Sequence, residues 1–326
     1  MPSCVIALDV GGTAMKGALI GRAGGVLAEV RRPTTGAGGA MVVEAIGAAA
    51  AELAALAENS GLAVSGAGVV VPGIVDEAAG RAVYSANLGW RELPLAEILV
   101  GRLGMAVALG HDVRAGARAE AAMGAARGIR DVVFVPIGTG IAGAVICDGR
   151  VVSGGGYAGE IGHLVVRPGG AACRCGGRGC LETVASAAAI AARFTARSGL
   201  PAAGASDVVR RLDQGDRAAR EVWDEAVAAL ADALAATAAV VAPELVVVGG
   251  GLAEAGDRLL VPLGARLAER LTYHRRPRLV RAALGDRAGC LGAGLLAWER
   301  VGVGGDSDVR VGIEAAVHGS AREAES

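Results

Sequence analysis

The segment from Glu160 to Glu182, EIGHLVVRPGGAACRCGGRGCLE, constrains this chain more than any other. It gathers three of the six cysteines and one of the four histidines. His163 is followed by Cys173, Cys175 and Cys180. One imidazole and three thiolates are the four donors that zinc takes in a tetrahedron. The glycines among the cysteines let backbone turn tightly around one ion. Cys173 and Cys175 are too close for an easy mutual disulfide, but both can face a metal. Four protein donors leave no open position, so the reading is a structural zinc and not a hydrolytic one. The plainer alternative is a set of free thiols in a Gly-rich loop.

Glu160 stands three residues before His163, and Glu182 two after Cys180. Metal binding would therefore fix two carboxylates beside an imidazole. Carboxylate oxygens accept hydroxyl protons, so such a pair suits a polyol. Two solvated surface glutamates are the default reading for either residue alone.

The 326 residues suffice for two domains of ordinary size. A net charge of −1 gives no basic field for nucleic acid, and 2% aromatic residues leave few stacking platforms. The 53% hydrophobic fraction lies in short Ala- and Val-rich runs, so no membrane span is expected. A strand-like run begins a few residues after Met1, so no presequence is expected either. Reduced thiols at a zinc site fit a cytoplasmic protein. Cys4, Cys147 and Cys290 lie in apolar runs and read as core residues. Lys16 is the only lysine.

Val5–Asp9 predicts a strand ending in an acid, followed by Gly11-Gly12-Thr13 and a second strand at Ala18–Ile20. A Gly-rich bend between strands exposes backbone N–H groups that can form an anion nest. Thr13 adds a hydroxyl, Lys16 an ammonium, and Asp9 a carboxylate that can orient Mg²⁺ through water. Taken alone, such a bend is more often only a turn. The pattern recurs, however. Val132–Ile137 predicts a strand, followed by Gly138-Thr139-Gly140 and a strand at Ala144–Ile146. Gly12-Thr13 maps onto Gly138-Thr139, and Gly17-Ala18 onto Gly143-Ala144. Both copies continue into a third strand, near Val26 and Val151. Two such turns facing one another could grip a phosphate chain.

Between and after these copies, helical spacing predicts helices over Gly39–Ser60, Arg114–Ala126, Val184–Arg197, Ser206–Leu212, Asp216–Val241, Glu254–Arg270 and Arg287–Glu299. Strands are predicted at Ala67–Val71, Val107–Leu109, Leu245–Val248 and Leu279–Ala283. Pro72-Gly73 closes one strand, Gly110-His111-Asp112 another, and Gly249-Gly250-Gly251 a third. An acid between a strand end and a helix start can reach a cleft, although an N-cap would also explain Asp112.

EIGH followed by CxCGxxGCxE resembles the hallmark of the ROK family of sugar kinases and sugar-responsive repressors. DxGGTxxKG and GTG resemble that family's two phosphate loops, and the likeness runs from about Asp9 to about Trp298. The resemblance implies an α/β, bilobal actin-like ATPase (ribonuclease H-like) fold with duplicated lobes and a cleft between them. Residues 1–110 and 287–301 would form the small lobe. Residues 111–286 would form the large lobe with its zinc loop at 160–182, and 302–326 a flexible tail. The implied activity is ATP-dependent phosphorylation of the 6-hydroxyl of glucose or a related hexose.

The resemblance also implies residue roles. Asp112 would be the general base. Gly73, Asn87, His111, Glu160, His163 and Glu182 would join it around the sugar. Asp9, Gly11, Gly12, Thr13, Lys16, Gly138, Thr139 and Gly140 would hold ATP phosphates and Mg²⁺, with Gly249, Gly250 and Gly251 on the adenosine side. His163, Cys173, Cys175 and Cys180 would hold structural Zn²⁺. The family's usual END is GHD here. His111 therefore stands where an Asn is usual, bulkier and able to titrate near neutral pH. This leaves the sugar open between glucose, another hexose and an N-acetylhexosamine such as GlcNAc or ManNAc, and the donor open between ATP and polyphosphate. A non-catalytic sugar sensor is a further alternative. A repressor of this family carries an N-terminal DNA-binding module, which is not expected with Asp9 so near the first residue. The resemblance implies a homodimer or larger homo-oligomer, such as a tetramer.

Overall fold

A computed structural model of the chain describes residues 2–34 and 38–302. Beyond Gly302, the expected tail lies outside the described residues. The described chain packs as two compact units. One comprises residues 2–123, 153–157 and 286–302, the other residues 124–152 and 158–285.

In the first unit the apolar run Ser3–Val10 forms strand β1. Strands β2 (Ala14–Gly21) and β3 (Val26–Pro33) follow antiparallel, with Asp9 opposite Lys16. Helix α1 (Gly39–Asn59) then leads to β4 (Ala63–Val71), which runs parallel to β1. By length and a mean hydropathy of 1.7, α1 passes the test for a membrane span. It is a core helix here, with Val42, Ile46, Ala50 and Leu53 buried in the same apolar cluster as Ile6, Leu8 and Leu19. Strands β5 (Ile74–Asp76), β6 (Arg81–Ser85) and β7 (Trp90–Leu93) make a small antiparallel sheet. Helix α2 (Leu95–Leu103) and strand β8 (Val107–His111) complete the main sheet, of order β3-β2-β1-β4-β8. Helix α3 (Asp112–Met123) begins directly at the end of β8.

The second unit repeats the plan. Strands β9 (Val132–Pro136), β10 (Ala144–Cys147) and β11 (Arg150–Val151) are antiparallel neighbours. Helices α4 (Glu182–Ala185), α5 (Ala187–Ser198), α6 (Ala205–Asp213) and α7 (Arg217–Val241) follow. Strand β12 (Leu245–Gly249), helix α8 (Asp257–Arg270) and strand β13 (Arg278–Arg281) finish a sheet of order β11-β10-β9-β12-β13. Each sheet thus has an antiparallel trio beside parallel strands, the duplicated ribonuclease H-like plan of actin-like ATPases. Helix α9 (Ala288–Arg300) belongs to the first unit. It approaches α3 and β4 closely: a side chain at Gly292 would meet the Ala115 carbonyl at 2.1 Å, and one at Gly68 the Ala293 carbonyl at 1.9 Å.

Three local expectations are corrected. The helix expected over Val184–Arg197 breaks at Ser186, whose hydroxyl accepts from the Ala189 amide and caps α5. The helix expected from Glu254 begins at Asp257. Gly256, at φ 57° and ψ −129°, separates it from the short turn Gly251–Ala255. The stretch from Ile74 to Leu103, expected to carry only isolated site residues, holds three strands and α2. Its strands are only three to five residues long, too short for a clear alternation to show.

Candidate active site and metal centre

In the first unit, the Gly11–Thr13 turn joins β1 to β2. The Gly11 amide donates to the Ala14 carbonyl at 3.0 Å. Thr34, after β3, braces the turn: its hydroxyl donates to the Gly11 carbonyl at 2.6 Å and its amide to the Thr13 carbonyl at 3.0 Å. Asn87 is exposed beside the turn, its Cβ 3.5 Å from where a Gly12 side chain would begin. Gly73 adopts φ 105°, and a side chain there would strike the Tyr84 carbonyl at 2.2 Å. The need for glycine at this position therefore comes from the small sheet itself.

Asp9, next to last in β1, sits beside Gly289 of α9, where a side chain would meet the carboxylate at 2.6 Å. Burial raises its pKa to about 6; Asp112 and Asp286 add to the rise, and Lys16 opposes it. Lys16 Nζ donates to the Asp286 carbonyl at 2.7 Å and lies 3.5 Å from its carboxylate.

Asp112 opens α3, and its Oδ1 accepts from the Val113 amide at 2.7 Å. Burial pushes its carboxyl above the usual range, opposed by that amide and by the Arg114 guanidinium. His111 is buried at 5% exposure, and its Nδ1 accepts from the Arg114 amide at 3.4 Å. Burial, then Arg114, lowers its pKa to about 4, with Glu77 opposing. The expectation that His111 titrates near neutral pH is therefore corrected. The imidazole is neutral there, and its Nδ1 faces both the Arg114 amide and, at 3.4 Å, Asp112 Oδ1.

In the second unit, the Gly138–Gly140 turn follows β9. The Gly138 amide donates to the Gly140 carbonyl at 2.9 Å, and its carbonyl accepts from the Ala187 amide at 2.8 Å. Glu182 Oε2 accepts from the Ile141 amide at 2.9 Å, and a side chain at Gly140 would meet that oxygen at 2.6 Å. The Gly249–Gly251 turn leans on the same structure. Gly250, at φ 71°, leaves room for the Ile137 carbonyl, 2.4 Å from where its side chain would begin. The Leu252 amide donates to that carbonyl at 3.0 Å.

The donor atoms of His163, Cys173, Cys175 and Cys180 all lie within 4.8 Å of one another. Cys173 Sγ is 3.7 Å from His163 Nδ1, and Cys175 Sγ is 3.6 Å from Cys180 Sγ. A tetrahedral zinc with bonds of about 2.0–2.3 Å keeps its donors about 3.3–3.8 Å apart, the spacing of these two pairs. His163 Nε2 faces the other way, 3.8 Å from Glu160 Oε2. Bridges from Val165 to Cys180 and from Ala172 to Arg178 fold the loop back on itself. Arg167 Nη1 anchors the loop to α7 through Asp232 at 3.0 Å.

Three residues near these groups were not anticipated from sequence. Glu77, half-buried, and Arg114, fully buried, form an ion pair behind His111 and Asp112, and Thr34 braces the first turn. An arginine in the first turn of an Ala-rich helix was a visible signal for Arg114. Glu77 and Thr34 offered none, because their partners are distant in sequence.

Comparison with known proteins supplies the context. The ROK family model matches residues 5–300. A glucokinase of Halalkalibacterium halodurans is 34% identical over 315 residues, covering 89% of this chain and 94% of that protein. A ROK hexokinase structure from Thermus thermophilus superposes with a TM-score of 0.81 at 34% identity, covering 92% of this chain and 100% of the other. A ROK glucokinase from Streptomyces griseus, solved with glucose and AMPPNP, gives a TM-score of 0.78 at 28% identity, with 91% and 99% coverage. The match spans both units, the three glycine turns and His163, Cys173, Cys175 and Cys180, and on that ground the chain belongs to the ROK family.

Proposed function

We propose that this chain is an ATP-dependent hexose kinase that phosphorylates the 6-hydroxyl of glucose or a close relative. The observation that carries the reading is Asp112. It sits at the junction of β8 and α3, with a carboxyl raised by burial, beside a neutral imidazole. A base of raised pKa accepts a hydroxyl proton more readily. As the sugar oxygen attacks the γ-phosphorus in line, its proton passes to Asp112, the bond to the β,γ-bridging oxygen breaks, and ADP leaves. Such transfer depends on positioning and electrostatics more than on covalent chemistry.

The remaining roles follow from chemistry. Backbone N–H groups of Gly12, Thr13, Thr139 and Gly140 would face the phosphates, with the Gly11 and Gly138 amides closing their turns, and Gly249–Gly251 would face the adenosine. Lys16 adds positive charge near the first turn. Asp9 offers the hard carboxylate oxygens that Mg²⁺ prefers. Bound there, Mg²⁺ would supply charge neutralisation on the donor. Gly73, Asn87, His111, Glu160, His163 and Glu182 would hold the sugar, with the glutamates as acceptors. His163, Cys173, Cys175 and Cys180 would hold a structural zinc that fixes the loop carrying Glu160 and Glu182. Thiols kept reduced for that metal fit a cytoplasmic enzyme. Val240, Val261 and Tyr273 leave apolar surface on the second unit that a second copy would cover in a homo-oligomer.

The test is a coupled ADP-release assay of zinc-loaded protein with ATP and Mg²⁺. The acceptors are glucose, mannose, fructose, N-acetylglucosamine and N-acetylmannosamine, and polyphosphate is the alternative donor. Saturable turnover with a hexose supports the reading and shows what His111 selects. Silence with every acceptor and donor, with sugar still binding by calorimetry, would replace the kinase by a sugar sensor.

A further inference from the structure

We propose that the buried Arg114 and its half-buried partner Glu77 act as a positioning pair that sets Asp112 and His111 for phosphoryl transfer. The inference rests on the kinase reading above and adds two residues that touch neither sugar nor nucleotide.

Arg114 is the largest fully buried side chain among the described residues, with 1% exposure. Burying a guanidinium is costly unless each N–H finds a partner, and an apolar side chain would serve packing alone at least as well. Here each of the three guanidinium nitrogens has a partner. Nε donates to Glu77 Oε1 at 2.7 Å, Nη2 to the Val75 carbonyl at 2.8 Å, and Nη1 to the Gly156 carbonyl at 3.3 Å. The fork thus pins β5, the residue after it and the 153–157 segment of the first unit to the first turn of α3.

The same Glu77 Oε1 also accepts from the His111 backbone amide at 3.2 Å. One carboxylate oxygen therefore ties the last residue of β8 to the third residue of α3. The Arg114 amide, in turn, donates to His111 Nδ1. Asp112 lies between two residues held from both sides, so the backbone that carries its carboxylate is fixed by the pair. Arg114 also counters the burial that raises Asp112, keeping more of the base ionised. The other charged or titratable groups facing this carboxylate within the unit are Asp9 and His111.

The experiment uses the full zinc-loaded chain with Arg114→Gln, Arg114→Lys, Glu77→Gln and the Arg114→Gln/Glu77→Gln double variant. Steady-state kinetics, pH–rate profiles and thermal melting are read together. Misplacing a catalytic group by about an ångström can cost about a hundredfold. Each folded single variant is expected to lose about tenfold to a hundredfold in kcat, with KM for ATP within about twofold. The double variant should lose no more than the worse single, because the two act as one unit. Arg114→Gln removes a positive charge and should move the acid limb of the kcat profile to higher pH. Arg114→Lys keeps the charge and should restore that limb but not kcat. If the Arg114 variants fail to fold, Glu77→Gln decides on kcat alone. Unchanged kcat and an unchanged acid limb in the folded variants, beside an active wild type, would overturn the pair. A wild type with no hexose-dependent ADP release would instead overturn the kinase reading and this inference with it.

Discussion

The two glycine turns have the same place in their sheets, yet they are held by different means. The first, Gly11–Thr13, is braced by the uncharged hydroxyl of Thr34, after β3, and stands in a unit whose acids are placed by burial and by the Glu77–Arg114 pair. The second, Gly138–Gly140, is braced by Glu182, two residues beyond the metal donor Cys180. The first therefore depends on desolvated charge, which the fold supplies once it has formed. The second depends on a Gly-rich loop that, in the proposed reading, an ion would hold rigid. One plan of strands would thus carry an electrostatic half and a metal-dependent half.

The largest effect should come from the first half. Asp112→Asn keeps the shape but removes the base, and turnover should fall by about 10²–10⁴-fold. Sugar affinity by calorimetry should stay near wild type. Near-normal turnover would end the assignment of Asp112, and with it the claim that the chemistry resides in the electrostatic half.

Next in size is loss of the metal. Cys175→Ala removes one of four donors and should abolish stoichiometric zinc, measured by elemental analysis. Sugar affinity should drop by about ten- to a hundredfold, the range seen when groups that orient metal-site residues are lost. Amide exchange should quicken at Ile141 and stay unchanged at Gly11. Unchanged sugar affinity in a zinc-free variant would uncouple the metal from Glu160 and Glu182.

The sequence made this division partly legible. The repeat of strand, glycine turn and strand foretold both sheets, because β-sheet pattern and turn chemistry are local. The four metal donors were legible because they are close in sequence and chemically uncommon. What was hidden depends on tertiary contact. Glu77 meets Arg114 across thirty-seven positions, and Glu182 meets Ile141 across forty-one. His111 shows the same limit: its residue type allows titration near neutral pH, and only its burial under Arg114 keeps it neutral.

A smaller effect separates the two roles open to Glu182. If its main task is to brace the second turn, Glu182→Ala should raise KM for ATP by about tenfold, as expected for a lost hydrogen bond to a charged group. Glu182→Gln retains an acceptor oxygen and should recover most of that loss. If the sugar is its main partner, KM for the hexose should move instead, and the comparison between the turns loses its metal link.

The smallest effect, a few degrees of melting temperature, tests the electrostatic half at Asp9. Burial, then Asp112, raises this carboxyl to about 6 from its ordinary 3.8. A group whose folded pKa is raised stabilises the fold fully below its unfolded value, and that contribution is lost as pH rises through the folded value. Above pH 6, then, ionised Asp9 costs the fold, by at most about 3 kcal/mol. Asp9→Asn should melt higher than wild type at pH 7.5, with the gap narrowing through pH 6 and closing near pH 4. Mg²⁺ should raise the melting point of wild type and leave that of the variant unchanged, because only the carboxylate binds it. The variant should also lose kinase activity. A gap that stays constant with pH would show that Asp9 carries no strained charge, and that burial does not set the first half apart.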